Sequence, residues 1–333
     1  MKVAFMFPGQ GSLEEGMGRE IVEAVPEARQ VFVDGSDAAG IDLEKLCFET
    51  PMAQLVETEN QQPALVATCL AINEAIRVRG FKPDFVVGHS VGEFAALAAA
   101  QSLTAAEAIA LVRERGLAMA AAARERPGSM AAILGLADEA VEAICHKIQN
   151  VWPANYNCPG QIVVSGAMGA VDECCDEAEQ AGARRAIRLR VSGAFHSPLV
   201  ERASERLRPT IEKVHFKEPL APFVSTVTAK LENAQRFRTL LVEQLTAPVK
   251  FTQAAGELIR NGVTVFEVFF AGYLATILVW PSLQGARFLF PLRVPPRTVW
   301  SARTSRPRRP MSLPRFSRAR TRTASRRHTE ART

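Results

Sequence analysis

DFVVGHSVGEFAALAAA, residues 84–100, sets an aromatic and β-branched run directly before Gly-His-Ser-Val-Gly and an alanine-rich helical stretch directly after it. A serine between two glycines at a strand-to-helix corner has its hydroxyl held out from the backbone, bare and reachable. Gly88 and Gly92 suit such a corner because strand and helix approach too closely there for Cβ atoms. The five residues match G-x-S-x-G, the nucleophile elbow. Alone, the pattern also fits a plain Gly/Ser turn; the strand before it and the helix after it select the elbow. Ser90 then stands at a helix N-terminus, where the Val91 N–H and the helix dipole can stabilise an oxyanion.

A serine hydroxyl needs a base, and the chain has five histidines. His89 neighbours Ser90, so its side chain points away and supports the elbow. His146 sits among charged residues on a helical stretch and reads as surface. His215 precedes strand-like sequence, and His328 lies near the C-terminus. His196, in VSGAFHSPLV, stands where an inserted segment hands the chain back to the larger unit, a junction of the kind that lines a cleft. On position alone it is equally a core histidine and a catalytic one.

The surrounding chain reads as α/β. VAFMF (3–7) is a buried strand closed by PGQGS, and helical patterns run from there to about residue 80. Between 129 and 190 the order is strand, helix, strand, strand, helix, strand, the ferredoxin-like βαββαβ pattern of a compact insert. A helix over 197–213, a strand at 222–228, helices near 236–246 and 250–261, and a strand at 264–270 continue the larger unit. The expected organisation is a large hydrolase-like subdomain with a parallel sheet, residues 1–127 and 192–280, and a ferredoxin-like small subdomain, 128–191. An Arg/Pro/Ser-rich tail, 281–333, lacks the periodicity and apolar content to order itself.

Composition excludes several classes. The formal net charge of +5 conceals an asymmetry: residues 269–333 carry fourteen arginines, no lysine and one acid, Glu330, leaving 26 basic and 34 acidic residues before them. The body is acidic, so the overall charge is no sign of nucleic-acid binding by the folded part. The longest charge-free apolar stretch, VFFAGYLATILVW (268–280), is shorter than the ~20 residues of a membrane span. The N-terminal apolar run is too short for a signal peptide. The six cysteines show no metal-ligand spacing, and the expectation is reduced thiols in the cytoplasm, with no metal and no membrane.

Five motifs occur in one order and spacing: FPGQGS (7–12), GHSVGE (88–93), ERG (114–116), GAFHS (193–197) and EQLTAPVKF (243–251). Together, over residues 1 to about 268, the chain resembles the malonyl-CoA:acyl carrier protein transacylases. The resemblance implies a Ser-His dyad of Ser90 and His196, the imidazole oriented by the main-chain carbonyl of Gln244. It implies an oxyanion hole from the backbone N–H groups of Gln10 and Val91. It matches Arg115 to the arginine that pairs with the free malonyl carboxylate, Gln62 to a polar residue lining the same pocket, and Phe195 to a bulky residue that leaves no room for an α-methyl. Without the resemblance, Arg115, beside Glu114 and near Arg113, reads as a solvated helix-surface arginine, and Phe195 as core.

The implied activity is ping-pong transfer of malonyl from CoA to the phosphopantetheine thiol of acyl carrier protein, in fatty-acid synthesis, with no cofactor beyond these substrates and with a monomeric enzyme. A discrete acyltransferase serving a polyketide synthase, a serine hydrolase or thioesterase, and an inactive carrier-binding relic are the alternatives. Docking an acidic carrier on an acidic body calls for a local basic patch; RRAIRLR (184–190) and Lys213, Lys217 and Lys230 are candidates, although each is also ordinary surface charge.

The family carries a Gly-Pro-Gly turn after its last strand. Here FEV (266–268) runs into FFAGYLATILVW instead, with Gly272 as a substitute corner. Arginine without lysine, with much Pro, Ser and Thr, is what GC-rich DNA yields out of frame, so the end of the chain reads as a frameshifted or otherwise aberrant product; the competing reading is a genuine basic tail that binds nucleic acid or an acidic partner.

Overall fold

Runs rich in Val, Ile and Phe alternate with Ala- and Leu-rich helical stretches, and among the described residues the strands form two sheets. The computed structural model describes residues 1–269 and the backbone of 287–289. The strands are β1 (Lys2–Phe7), β2 (Phe85–Gly88), β3 (Ser129–Leu134), β4 (Val151–Cys158), β5 (Gln161–Gly166), β6 (Arg185–Arg188), β7 (Phe223–Ser225), β8 (Lys230–Glu232), β9 (Val263–Val268) and β10 (Arg287–Leu289). The helices are α1 (Arg19–Ala24), α2 (Pro26–Ala39), α3 (Leu43–Phe48), α4 (Met52–Leu55), α5 (Thr58–Arg77), α6 (Gly92–Ala99), α7 (Ala105–Glu125), α8 (Asp138–Lys147), α9 (Met168–Gln180), α10 (Glu201–Glu212), α11 (Ala234–Glu243) and α12 (Phe251–Arg260).

The larger sheet has the order β10-β9-β1-β2-β7-β8, parallel throughout except for β8, which returns antiparallel on β7 as an edge. A parallel sheet is covered on both faces, so its strands are apolar on both sides. In β1, Phe5 and Phe7 enter the main core, while Ala4 and Met6 face a second core closed by Phe251, Ala254, Ala255 and Leu258 of α12. The strand expected at 222–228 is shorter because the chain turns after Ser225 into β8. The helix expected from 197 begins as a 3-10 turn, Pro198–Val200, before α10.

The smaller sheet is antiparallel with the order β4-β5-β3-β6, the ferredoxin-like arrangement read from the sequence. Its strands alternate. Ala131 and Ile133 pack under α8 and α9 with Val141, Ile144, Val171 and Cys174, whereas Met130 and Ala132 join the main core. It is stitched to the EQLTAPVKF segment by the Tyr156 N–H to the Val249 carbonyl (2.9 Å) and the Val249 N–H to the Ala154 carbonyl (2.8 Å).

The residue after FEV, Phe269, is buried, with its ring stacked on Phe7 at 4.5 Å. β10 falls inside the span read as an unstructured tail and pairs in parallel with β9. The remainder of that reading, Gly272 and the frameshift included, lies outside the described residues.

Candidate active site

Because β1, β2, β7 and β9 run parallel, their carboxyl ends open at one edge of the sheet, where open α/β sheets place their chemistry. The elbow stands there, between β2 and α6. Ser90 has φ 53°, in the left-handed region that non-glycine residues rarely adopt. Both flanking positions have to be glycine. A Cβ on Gly88 would lie 2.1 Å from the Gly92 carbonyl carbon, and one on Gly92 would lie 2.4 Å from the Phe7 carbonyl oxygen.

Ser90 Oγ lies 2.8 Å from His196 Nε2. His196 comes from the loop between the small sheet and α10 and also has a left-handed backbone, φ 58°. Its N–H donates to the Leu245 carbonyl (3.1 Å). Its Nδ1 faces two carbonyl oxygens, Gln244 at 2.8 Å and Ala247 at 3.1 Å. Carbonyls only accept, so Nδ1 carries the hydrogen and Nε2 presents a lone pair to the serine. Burial, then the charge of Arg115, pushes the imidazole down from 6.5 to about 3, so it is neutral and able to accept a proton.

Arg115 is fully buried, not solvated as its neighbours in sequence suggest. It projects from α7, whose N-terminus is fixed by a Thr104–Glu107 capping box. Gly116 lets α7 approach α5, since a Cβ there would meet the Glu59 Cα at 2.9 Å. Pro63 has no N–H to give the Glu59 carbonyl one turn back, and Arg113 donates to that carbonyl instead (2.8 Å). At this crossing Arg115 Nη2 donates to Ser90 Oγ (3.0 Å) and to Gln244 Oε1 (2.9 Å), and Nη1 donates to Gln62 Oε1 (2.8 Å). Its buried Nε–H has no acceptor among the described residues. Burial lowers the guanidinium from 12.5 to about 9, and Glu93 opposes that shift.

Gln62 Nε2 donates to Gln10 Oε1 (3.3 Å), which brings the PGQGS loop to the same point. The Gly11 N–H donates to Gln61 Oε1 (2.7 Å) and fixes that loop. The backbone N–H groups of Gln10 and Val91 bond no acceptor among the described residues. Phe195 is buried in the main core, its ring beside the Gly193 backbone. Of the residues singled out in the sequence, Ser90, His196, Arg115, Gln62, Gln244 and Gln10 are joined by hydrogen bonds, whereas no polar contact links Phe195 to them. His89 points away from Ser90 as expected, with Nε2 2.9 Å from Asn157 Oδ1 on β4.

Glu93 closes the GHSVGE motif, where sequence alone gives it no task, and it is wholly buried in this network. Gln244 Nε2 donates to its Oε2 (2.5 Å), while Thr226 Oγ1 (2.9 Å) and Ser225 Oγ (3.2 Å) donate to its Oε1. Burial pushes this carboxyl up from 4.5 to about 7 against those hydrogen bonds. The signal was present in the sequence, since GEFAALAA holds one charge in an otherwise apolar helix. Among the described residues no cluster of His, Cys, Asp or Glu could hold a metal ion, and all six cysteines are free. No helix among them is long and apolar enough to cross a membrane.

The model of the acyl transferase domain family matches residues 4–278. The chain belongs to that family. It is 41% identical over 270 residues to the malonyl CoA-acyl carrier protein transacylase of Bacillus subtilis (strain 168), covering 80% of this chain and 85% of that one. It is 36% identical over 270 residues to the protein of the same name from Staphylococcus aureus (strain MRSA252), covering 80% and 87%. Among solved structures of the family it superimposes on MCAT from Streptococcus pneumoniae with TM-score 0.82 at 36% identity, covering 87% of this chain and 95% of that one. It matches a complex of a type II PKS acyl-carrier protein with its malonyl-transacylase, PlMCAT:AntF, with TM-score 0.83 at 34% identity, covering 87% and 96%.

Proposed function

We propose that this acyltransferase moves a malonyl group from malonyl-CoA to the phosphopantetheine thiol of an acyl carrier protein, through a malonyl ester on Ser90, in fatty-acid synthesis. The observation that carries the substrate class is Arg115: a buried cation 3.0 Å from the nucleophile, in direct ion pairing with no acid among the described residues. A guanidinium removed from water without a direct counter-ion calls for an anionic partner. A malonyl thioester brings one: its carboxylate can take the unpartnered Nε–H and, by displacing Ser90 Oγ, one Nη2 hydrogen, a two-pronged pairing.

His196 Nε2 takes the Ser90 proton as Oγ attacks the thioester carbonyl. The Gln10 and Val91 N–H groups receive the oxyanion; one such donor is worth roughly 3–4 kcal/mol. The tetrahedral intermediate collapses, His196 returns the proton to the leaving CoA sulfur, and the serine ester remains. The carrier thiol repeats the sequence in reverse roles, with no cofactor. Phe195 narrows the acyl end of the site against an α-methyl. The protein works in the cytoplasm as a monomer and docks its acidic carrier on a basic patch. Arg184, Arg185, Arg188 and Arg190 are all exposed, as that patch requires.

Initial rates against both substrates test this. Parallel double-reciprocal lines for malonyl-CoA and carrier protein are expected. Intersecting lines, or release of free malonate in place of transfer, contradict it.

A further inference from the structure

We propose that Glu93 is a positioning residue: it holds the amide of Gln244 in the one orientation that lets Gln244 Oε1 fix Arg115 beside Ser90. The assignment rests on the reading of Arg115 as the carboxylate-binding group.

The order of hydrogen bonds is dictated by its two ends. Arg115 can only donate, and an ionised Glu93 can only accept. Gln244, between them, must turn its oxygen to Arg115 (2.9 Å) and its NH2 to Glu93 (2.5 Å). The far carboxylate oxygen is held by the Thr226 N–H, Thr226 Oγ1 and Ser225 Oγ from the end of β7, so Glu93 is anchored to the sheet. The side chains of Glu93, Gln244, Arg115 and Thr226 are all buried. The arrangement supplies Arg115 with a countercharge at one remove. The acceptor at position 244 takes one Nη2 hydrogen and leaves the Nε–H to the substrate. The backbone carbonyl of the same Gln244 accepts from His196 Nδ1 (2.8 Å), so one residue sets both the base and the anion clamp.

A glutamine at position 93 keeps the shape and breaks the order. Its own NH2 meets either the Thr226 N–H or the Gln244 NH2, and a flipped Gln244 presents NH2 to Arg115. Wherever the mismatch settles, two donors face each other in a buried site.

The test is a mutant cycle read by the rate of Ser90 acylation with malonyl-CoA. Glu93→Gln is expected to slow malonylation by about 10- to 100-fold, the size of a lost charge-assisted hydrogen bond. In an Arg115→Ala background the same change is expected to cost less than about threefold, because its target is gone. The double variant E93Q/Q244E reverses the order: the amide introduced at position 93 donates to the carboxylate introduced at position 244, and that carboxylate accepts from Arg115. It is expected to regain at least about tenfold over E93Q, and where E93Q does not fold, to acylate within about tenfold of wild type. An equal loss in both backgrounds, no loss from E93Q, or a folded double variant without recovery overturns the assignment. A wild-type protein that takes no malonyl group at all overturns the functional reading and this assignment with it.

Discussion

Arg115 Nη2 and His196 Nε2 both reach Ser90 Oγ, at 3.0 Å and 2.8 Å, so the groups proposed to bind the substrate's charge and to activate the nucleophile converge on one oxygen. Neither is near the serine in sequence. Each is fixed by a different part of Gln244, its side-chain oxygen and its carbonyl.

Replacing Arg115 is expected to change acyl preference more than chemistry. Arg115→Ala should lower kcat/KM for malonyl-CoA by about 100-fold or more, two charge-assisted hydrogen bonds being worth several kcal/mol. Acetyl-CoA, with no second carboxylate, should be taken as well as before or better. Lysine at 115 should recover only part of the loss, because a point charge lacks the two-pronged edge. Competition between the two thioesters measures this; equal losses for both would remove Arg115 from specificity.

The pH dependence should belong to Glu93 rather than to the base. His196 is held near 3 by burial and by Arg115, so it is neutral across the mildly acidic range. Glu93 is raised to about 7 by burial, so as pH falls through that value it gains a proton and ceases to be a pure acceptor. Malonylation by wild type is expected to decline below about 7 with a one-proton slope. Glu93→Gln should flatten that limb at a lower plateau. A limb that persists near 6.5 in Glu93→Gln would assign the titration to an ordinary imidazole.

The elbow tolerates no side chain at its corners. Gly92→Ala would place a Cβ 2.4 Å from the Phe7 carbonyl oxygen, a backbone atom that cannot swing aside. A loss of about 3 kcal/mol or more is expected, beyond ordinary overpacking. Thermal or denaturant unfolding measures it; a shift within that of a surface substitution would contradict the packing described.

Phe195 carries the α-methyl expectation. Its burial means that truncation to alanine would cost about 3–5 kcal/mol in stability, so Phe195→Leu is the cleaner probe. The methylmalonyl-to-malonyl ratio of the leucine variant should rise. An unchanged ratio in a folded variant would leave Phe195 to the core alone.

Much of this was legible in the sequence because it rests on local chemistry. A strand, two glycines, a serine and an alanine helix define the elbow wherever they occur, and the βαββαβ rhythm carries its own topology. Arg115 was not legible locally. A charged pair of neighbours makes it look solvated, and its burial comes from the close approach of α5 at Gly116 together with Ser90, Phe94 and Gln244, all distant in sequence. Glu93 escaped for a related reason: its partners, Thr226 and Gln244, lie 133 and 151 residues away, and no periodicity encodes such a contact. The reversal of β8 on β7 depends on a turn after Ser225 that an apolar run of 222–228 conceals.

The central claim is an acyl ester on Ser90 that a carrier thiol can remove. Intact-mass analysis of the protein mixed with malonyl-CoA, followed by peptide mapping and a chase with phosphopantetheinylated carrier protein, tests it directly. The expected result is one added malonyl group on the peptide holding Ser90, absent in Ser90→Ala and discharged to the carrier thiol rather than to water. A folded protein that remains unmodified, or a malonyl group found on another residue, would contradict it.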